Sequence, residues 1–254
     1  MNFDVLGITA VMIGAVIGSS LQTETSGADS ANPSDPFRVV TTIFSGRAQE
    51  PSAEHLVLFH DSLVYDFPRI HDGQITVYDL KRGRVILLDR ATQVRSTVPT
   101  TKLMELTAQL RAQAITPQAK EQLGVDAEVD RNDDLSQYSI RYGSLEYETD
   151  TQTPSRASIA TQYGQFADLA SQLNIARALG MPPIGRMKMN RQIADDARLP
   201  QQTTLTISKF GSRKTFRSTH ELIERISQED RSQIDEVGNM LALYREVPLS
   251  EFPE

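Results

Sequence analysis

The 254-residue chain contains no cysteine and no tryptophan. Without cysteine there is no disulfide, no thiolate metal ligand, no cysteine nucleophile and no lipid-modified N-terminal cysteine. Basic residues are in deficit, with 26 Lys and Arg against 33 Asp and Glu and a net charge of −7. That balance argues against a nucleic-acid partner, which is held by cations that displace phosphate counterions. The signatures G-x-S-x-G, G-x-x-x-x-G-K-[ST], G-x-G-x-x-G and H-E-x-x-H do not occur. The nucleophile elbow, the phosphate loop, the dinucleotide turn and the zinc helix therefore lack their usual sequence marks. We expect no enzyme activity, no catalytic residue, no cofactor and no metal. The four histidines include the pairs His60-Asp61 and His71-Asp72, but His55 and His60 fall on opposite faces of a continuous strand and do not converge. The adjacent acids Asp133-Asp134, Asp195-Asp196 and Glu229-Asp230 read as solvated surface or helix-start charge.

Long apolar runs are scarce too. The longest, Val5–Gly18, is 14 residues without a charge. It is short for a membrane span, which takes about 20 residues, and suits the apolar region of a secretory signal. No Lys or Arg precedes it, and Asp4 does. Residues 1–20 are expected to be a signal segment that sends the chain to the periplasm. An uncleaved anchor or a buried element are the alternatives. Residues 21–36, rich in Ser, Thr, Gly and Pro, read as a disordered linker. Residues 37–254 are expected to form a single α+β domain.

The first half of that domain alternates with period two. Arg38–Ala48, His55–Pro68, Gln74–Leu80, Arg84–Asp89 and Gln93–Val98 read as strands. Lys81-Arg82-Gly83 forms a hairpin loop in which Gly takes positive φ. In His55–Pro68 the odd positions Val57, Phe59, Leu63, Tyr65 and Phe67 are apolar and Asp61 interrupts them. Either His60-Asp61-Ser62 is a turn, or Asp61 points inward and marks a wet or ligand-lined interior. Ser136–Thr149 changes parity across Gly143-Ser144, as a β-bulge or a plain turn would. Gln202–Ser208 and Lys214–Ile226 alternate again.

Helices are expected after Pro99, where Leu103, Leu106, Leu110 and Ala114 share a face, and over Ser155–Leu179, which Gly180 and Pro182-Pro183 end. Ile184–Arg198 is a third candidate. Ser227-Gln-Glu-Asp230 has capping-box spacing before a last helix carrying Ile234, Val237, Leu241 and Tyr244, with Ser218–Glu221 a competing start. The sum is an antiparallel meander of about eight strands with two or three amphipathic helices over its concave side.

The strand ending YDFP at 65–68, then HDGQITVYD at 71–79, then a hairpin into RVILLD resembles the outer-membrane lipoprotein carrier group, the LolA- and LolB-like proteins. The resemblance covers residues 38–98. It implies a curved, incompletely closed antiparallel barrel covered by helices, with acyl chains held between. No helix precedes the first strand, and the missing cysteine rules out a LolB-like lipoprotein. On the apolar sheet face, Phe59, Leu63, Tyr65, Phe67 and Tyr78 are the expected ligand-binding residues. The expected function is an exported, periplasmic binder of lipoprotein acyl chains or another lipid. The alternative is a structural or protein-interaction protein of the cell envelope without a pocket.

Overall fold

The computed structural model describes residues 35–253 apart from 71–72, 178–180 and 210. The expected signal segment, nearly all of the linker, His71 and Gly180 lie outside the described residues.

The strands are β1 (Phe37–Ser45), β2 (Ala53–His60), β3 (Leu63–Pro68), β4 (Ile75–Asp79), β5 (Arg84–Asp89), β6 (Val94–Pro99), β7 (Val129–Arg131), β8 (Gln137–Tyr142), β9 (Leu145–Gln152), β10 (Leu199–Lys209), β11 (Ser212–Ile223) and β12 (Arg245–Glu246). The helices are α1 (Thr100–Ala112), α2 (Pro117–Leu123), α3 (Ala157–Ala176), α4 (Ile184–Asp195) and α5 (Gln228–Leu243). All strands join one sheet in the order β12-β6-β5-β4-β3-β2-β1-β11-β10-β9-β8-β7. Every pairing is antiparallel except the short parallel contact of β12 with β6.

This corrects the expected architecture. Among the described residues the sheet is mixed, has 12 strands rather than about eight, is not closed into a barrel, and carries five helices. Two expected strands are hairpins. His55–Pro68 breaks at Asp61, which takes a φ of 56° between β2 and β3. Ser136–Thr149 breaks at Gly143, φ 54°, so the parity change there is a plain turn and not a bulge. The remaining two, β7 and β12, are three and two residues long, too short for periodicity to reveal. Ser218–Glu221 belongs to β11, and the last helix starts at the later signal: Ser227 accepts from the Asp230 N–H at 3.1 Å while the Asp230 carboxylate accepts from the Ser227 N–H at 2.6 Å. Arg38 on β1 grips the same carboxylate through Nη1 at 3.0 and 2.8 Å, which fixes α5 to the sheet.

Helices cover both faces, and this explains two kinds of strand pattern. On one face α1, α3 and α4 pack side by side. On the other, α5 covers β2–β5 with Val237, Ile234, Met240 and Leu241 against Leu56, Leu58, Tyr65, Phe67, Ile75, Val77, Ile86 and Leu88. Strands between two helical layers are apolar on both sides, as in RVILLD. At the other end β8 and β9 have helices on one side only, and their burial alternates residue by residue. A flat sheet of 12 strands would be about 53 Å wide at about 4.8 Å per strand. Three helices abreast at about 10 Å cover only about 30 Å. The layer α1-α3-α4 touches β6 at one end and β7 at the other, so the sheet wraps around it and these helices lie on its concave side.

Candidate functional site

The concave floor holds two apolar clusters. One joins β1–β6 to α3 through Phe37, Phe59, Tyr78, Leu87, Tyr163 and Phe166 among others. The second joins β8–β11 to α4 through Tyr138, Tyr142, Tyr147, Met189 and Ile193. A row of buried polar side chains runs across the sheet between them. It begins with Asp66 on β3, whose Oδ1 lies 2.7 Å from His55 Nδ1 on β2. His55 neighbours Thr41 on β1 by strand register, and Thr41 Oγ1 is 3.2 Å from His220 Nδ1 on β11. His220 Nε2 is 3.0 Å from Ser218 Oγ, two residues back on the same strand. Ser218 pairs in register with Thr203 on β10, whose hydroxyl is 3.0 Å from that of Thr149 on β9. Thr149 accepts from Arg186 Nη1 on α4 at 3.2 Å. Tyr163 on α3 closes the row from above, its hydroxyl 2.9 Å from His220 Nδ1.

Each member sits on the inward parity of its strand, so the row is a consequence of register. Had any strand slipped by one residue, its polar group would face away.

The electrostatics are uneven along the row. Burial alone pulls the His55 imidazole down, but the Asp66 carboxylate more than reverses this and the net direction is up. His220 is half-buried, and desolvation together with the Arg186 charge pushes it down to about 3. Burial likewise keeps the Tyr142, Tyr147 and Tyr163 hydroxyls protonated by shifting each of them upward. Arg186 is 3% exposed, and burial lowers it to about 10, so it stays charged at neutral pH. Its guanidinium lies 5.2 Å from the Tyr147 ring centre.

Ser218 and His220 have the spacing of a nucleophile and its base. The rest of the arrangement works against that chemistry. No carboxylate orients His220, whose Nδ1 meets the Tyr163 and Thr41 hydroxyls, and its depressed pKa makes it a poor proton acceptor at pH 7. Ser218 is buried. Among the described residues no group of three or more His, Cys, Asp or Glu has metal-holding geometry, and no helix is long and apolar enough to cross a membrane.

The five residues expected on one ligand-binding face are divided. Phe59 and Tyr78 face α3, where the Phe166 ring meets them edge-on at 5.6 and 5.1 Å. Leu63, Tyr65 and Phe67 face the opposite way and pack beneath α5. The turn at Asp61 reverses the parity between them. Asp61 itself is exposed beside His60, 3.8 Å away. In this hairpin the carboxylate that turns toward the concave side is Asp66.

The polar row is not legible residue by residue, because it exists only across strands. Its signal is present in the strands: Thr41 between Val39 and Ile43, His55 before Val57 and Phe59, and Thr149 after Leu145 and Tyr147 all occupy the apolar parity.

At the β6 end of the concave layer, α1 is its loosest part. It packs on α3 and β6, yet Leu103 is its one buried residue. Leu106 and Leu110 are half-buried, Met104 is 39% exposed, and Ile115 just beyond the helix is 84% exposed. Its N-cap is Pro99, which supplies no side-chain bond, and the Thr100 hydroxyl donates to the Gly83 carbonyl at 3.1 Å. No protein-family model matches the chain, and no curated protein matches it either.

Proposed function

We propose that the protein is a non-enzymatic binder of a hydrophobic ligand, in the manner of the LolA- and LolB-like carriers. It would act in the periplasm on lipoprotein acyl chains or another lipid. The observation that carries this reading is α1. An amphipathic helix lies across the concave side of an open sheet and leaves most of its apolar residues half-covered or exposed. Such an element opens at little cost, because few buried contacts hold it. An acyl chain entering beside it would meet Val85, Leu87 and Val98 and the flank of α3. Each Å² of apolar surface withdrawn from water contributes about 25 cal/mol. Lifting α1 would supply the space.

One observation favours the other reading, an envelope interaction protein without a pocket. The rings of Phe59, Tyr78, Tyr163 and Phe166 pack against one another beneath α3. The two are separated by direct measurement. Protein from its native compartment is extracted with organic solvent for mass spectrometry, and the delipidated protein is titrated with a fluorescent acyl probe. Recovered lipid and saturable uptake support the carrier. If no lipid is recovered and no probe is taken up, the pocketless reading stands.

A further inference from the structure

Among the described residues Arg186 is a buried cation without a counter-ion. No carboxylate among the described residues lies within 4.0 Å of it, its Nη1 reaches only the Thr149 hydroxyl and the Met189 sulfur, and its Nε has no hydrogen-bond partner. Burying a charge in this way is costly unless it is paired. Its position adds to the cost. Arg186 is the third residue of α4, where the helix dipole already presents positive potential.

The unsatisfied atoms cluster. One turn along α4, Asn190 Nδ2 is also buried without a partner. The antiparallel packing of α3 on α4, fixed where Gly164 meets Ala194, brings Gln172 toward the start of α4. Its Oε1 is a third buried orphan. Native interiors leave few such groups, and a group of them points to a species that satisfies them. Two donors, one of them cationic, at a helix start ask for an anion. The Tyr142 and Tyr163 hydroxyls stay protonated beside it.

We propose that Arg186, with Asn190 and the start of α4, binds the anionic headgroup of the ligand. The ligand would be a single-chain amphiphile carrying a carboxylate or phosphate, its chain running under α3 toward Phe59. Tyr163 joins the two regions: its ring lies 6.2 Å from that of Phe59, and its hydroxyl belongs to the polar row that ends at Arg186. This inference rests on the ligand-binding reading and adds the headgroup to it.

The test compares ligands of one chain length on the delipidated full domain. Dodecanoate, dodecyl phosphate and dodecanol each displace a neutral apolar fluorescent probe. At least one anion is expected to bind ten times or more tighter than dodecanol, and the better of the two identifies the headgroup. Arg186→Met is expected to abolish that preference, so that anion and alcohol bind the variant within twofold of each other. Equal affinity of wild-type protein for anion and alcohol overturns the inference and leaves the binder reading intact. Failure of all three to bind overturns both. The wild-type comparison stands even where the variant does not fold.

Discussion

Replacing Phe166 with alanine tests whether α3 is seated on the sheet as firmly as the packing implies. The ring is 4% exposed and stands edge-on to Tyr78 at 5.1 Å and to Phe59 at 5.6 Å, with Tyr163 at 5.9 Å. Three different elements, β2, β4 and α3, meet at this side chain. Truncating a fully enclosed Phe costs about 3–5 kcal/mol, through lost transfer energy and the cavity left behind. The upper half of the range applies, because the surrounding rings are themselves held in place and cannot collapse into the hole. The edge-to-face geometry is part of that figure and is not added to it. For a domain of this size about 2–4 °C of melting temperature accompanies each kcal/mol, so Tm should fall by roughly 8–20 °C. Urea unfolding should show a lower midpoint at unchanged m. A loss below about 1 kcal/mol would refute the packing. It would mean that α3 spends much of its time lifted from the floor and that the aromatic cluster does not hold it there.

Two further outcomes follow from groups on the same face. His220 is held near 3 when folded against 6.5 when free, so below 6.5 the unfolded chain takes up a proton that the folded chain refuses. His55, raised by Asp66, acts in the opposite sense: its contribution is present below 6.5 and lost as pH rises through its folded value. The His220 shift is the larger, so stability should fall between pH 7 and 5, and His220→Gln should flatten that fall. An unchanged slope in the variant would show that His220 titrates freely. At Gly185 an added methyl would lie 2.4 Å from Tyr142 Cε1, whereas at Gly238 nothing lies within 4 Å. Gly185→Ala should cost about 1–3 kcal/mol by overpacking, and Gly238→Ala, on the open face of α5, should gain roughly 0.5–1 kcal/mol. Equal melting temperatures for these two variants would contradict the close approach of α4 to β8.

The capping box at Ser227 and the hairpin at Lys81-Arg82-Gly83 were legible because each is a local bond pattern written within a few residues. In the hairpin, Asp79 accepts from the Arg82 N–H at 3.0 Å and from Arg84 Nε at 3.1 Å. The start of α1 and the span of α3 were legible for the same reason, being set by Pro99 and by period 3.6. Asp61 left two readings open, because a turn former and an inward acid look alike until the backbone is placed.

Alternation and its punctuation thus determine where strands, turns and helices fall along this chain. They do not determine what lies above each face. RVILLD is apolar on both sides, and from the sequence that is as compatible with a ligand as with a second layer of helices. Tertiary structure put α5 on one side and α3 on the other, which divided Phe59 and Tyr78 from Leu63, Tyr65 and Phe67. It also brought Asp66, His220 and Arg186 into one row from strands and a helix up to 154 residues apart, since only the pairing of β1 with β11 joins the two halves of the sheet. Hydrophobic periodicity is a property of neighbours in the chain; the company a buried charge keeps is set by register between distant strands.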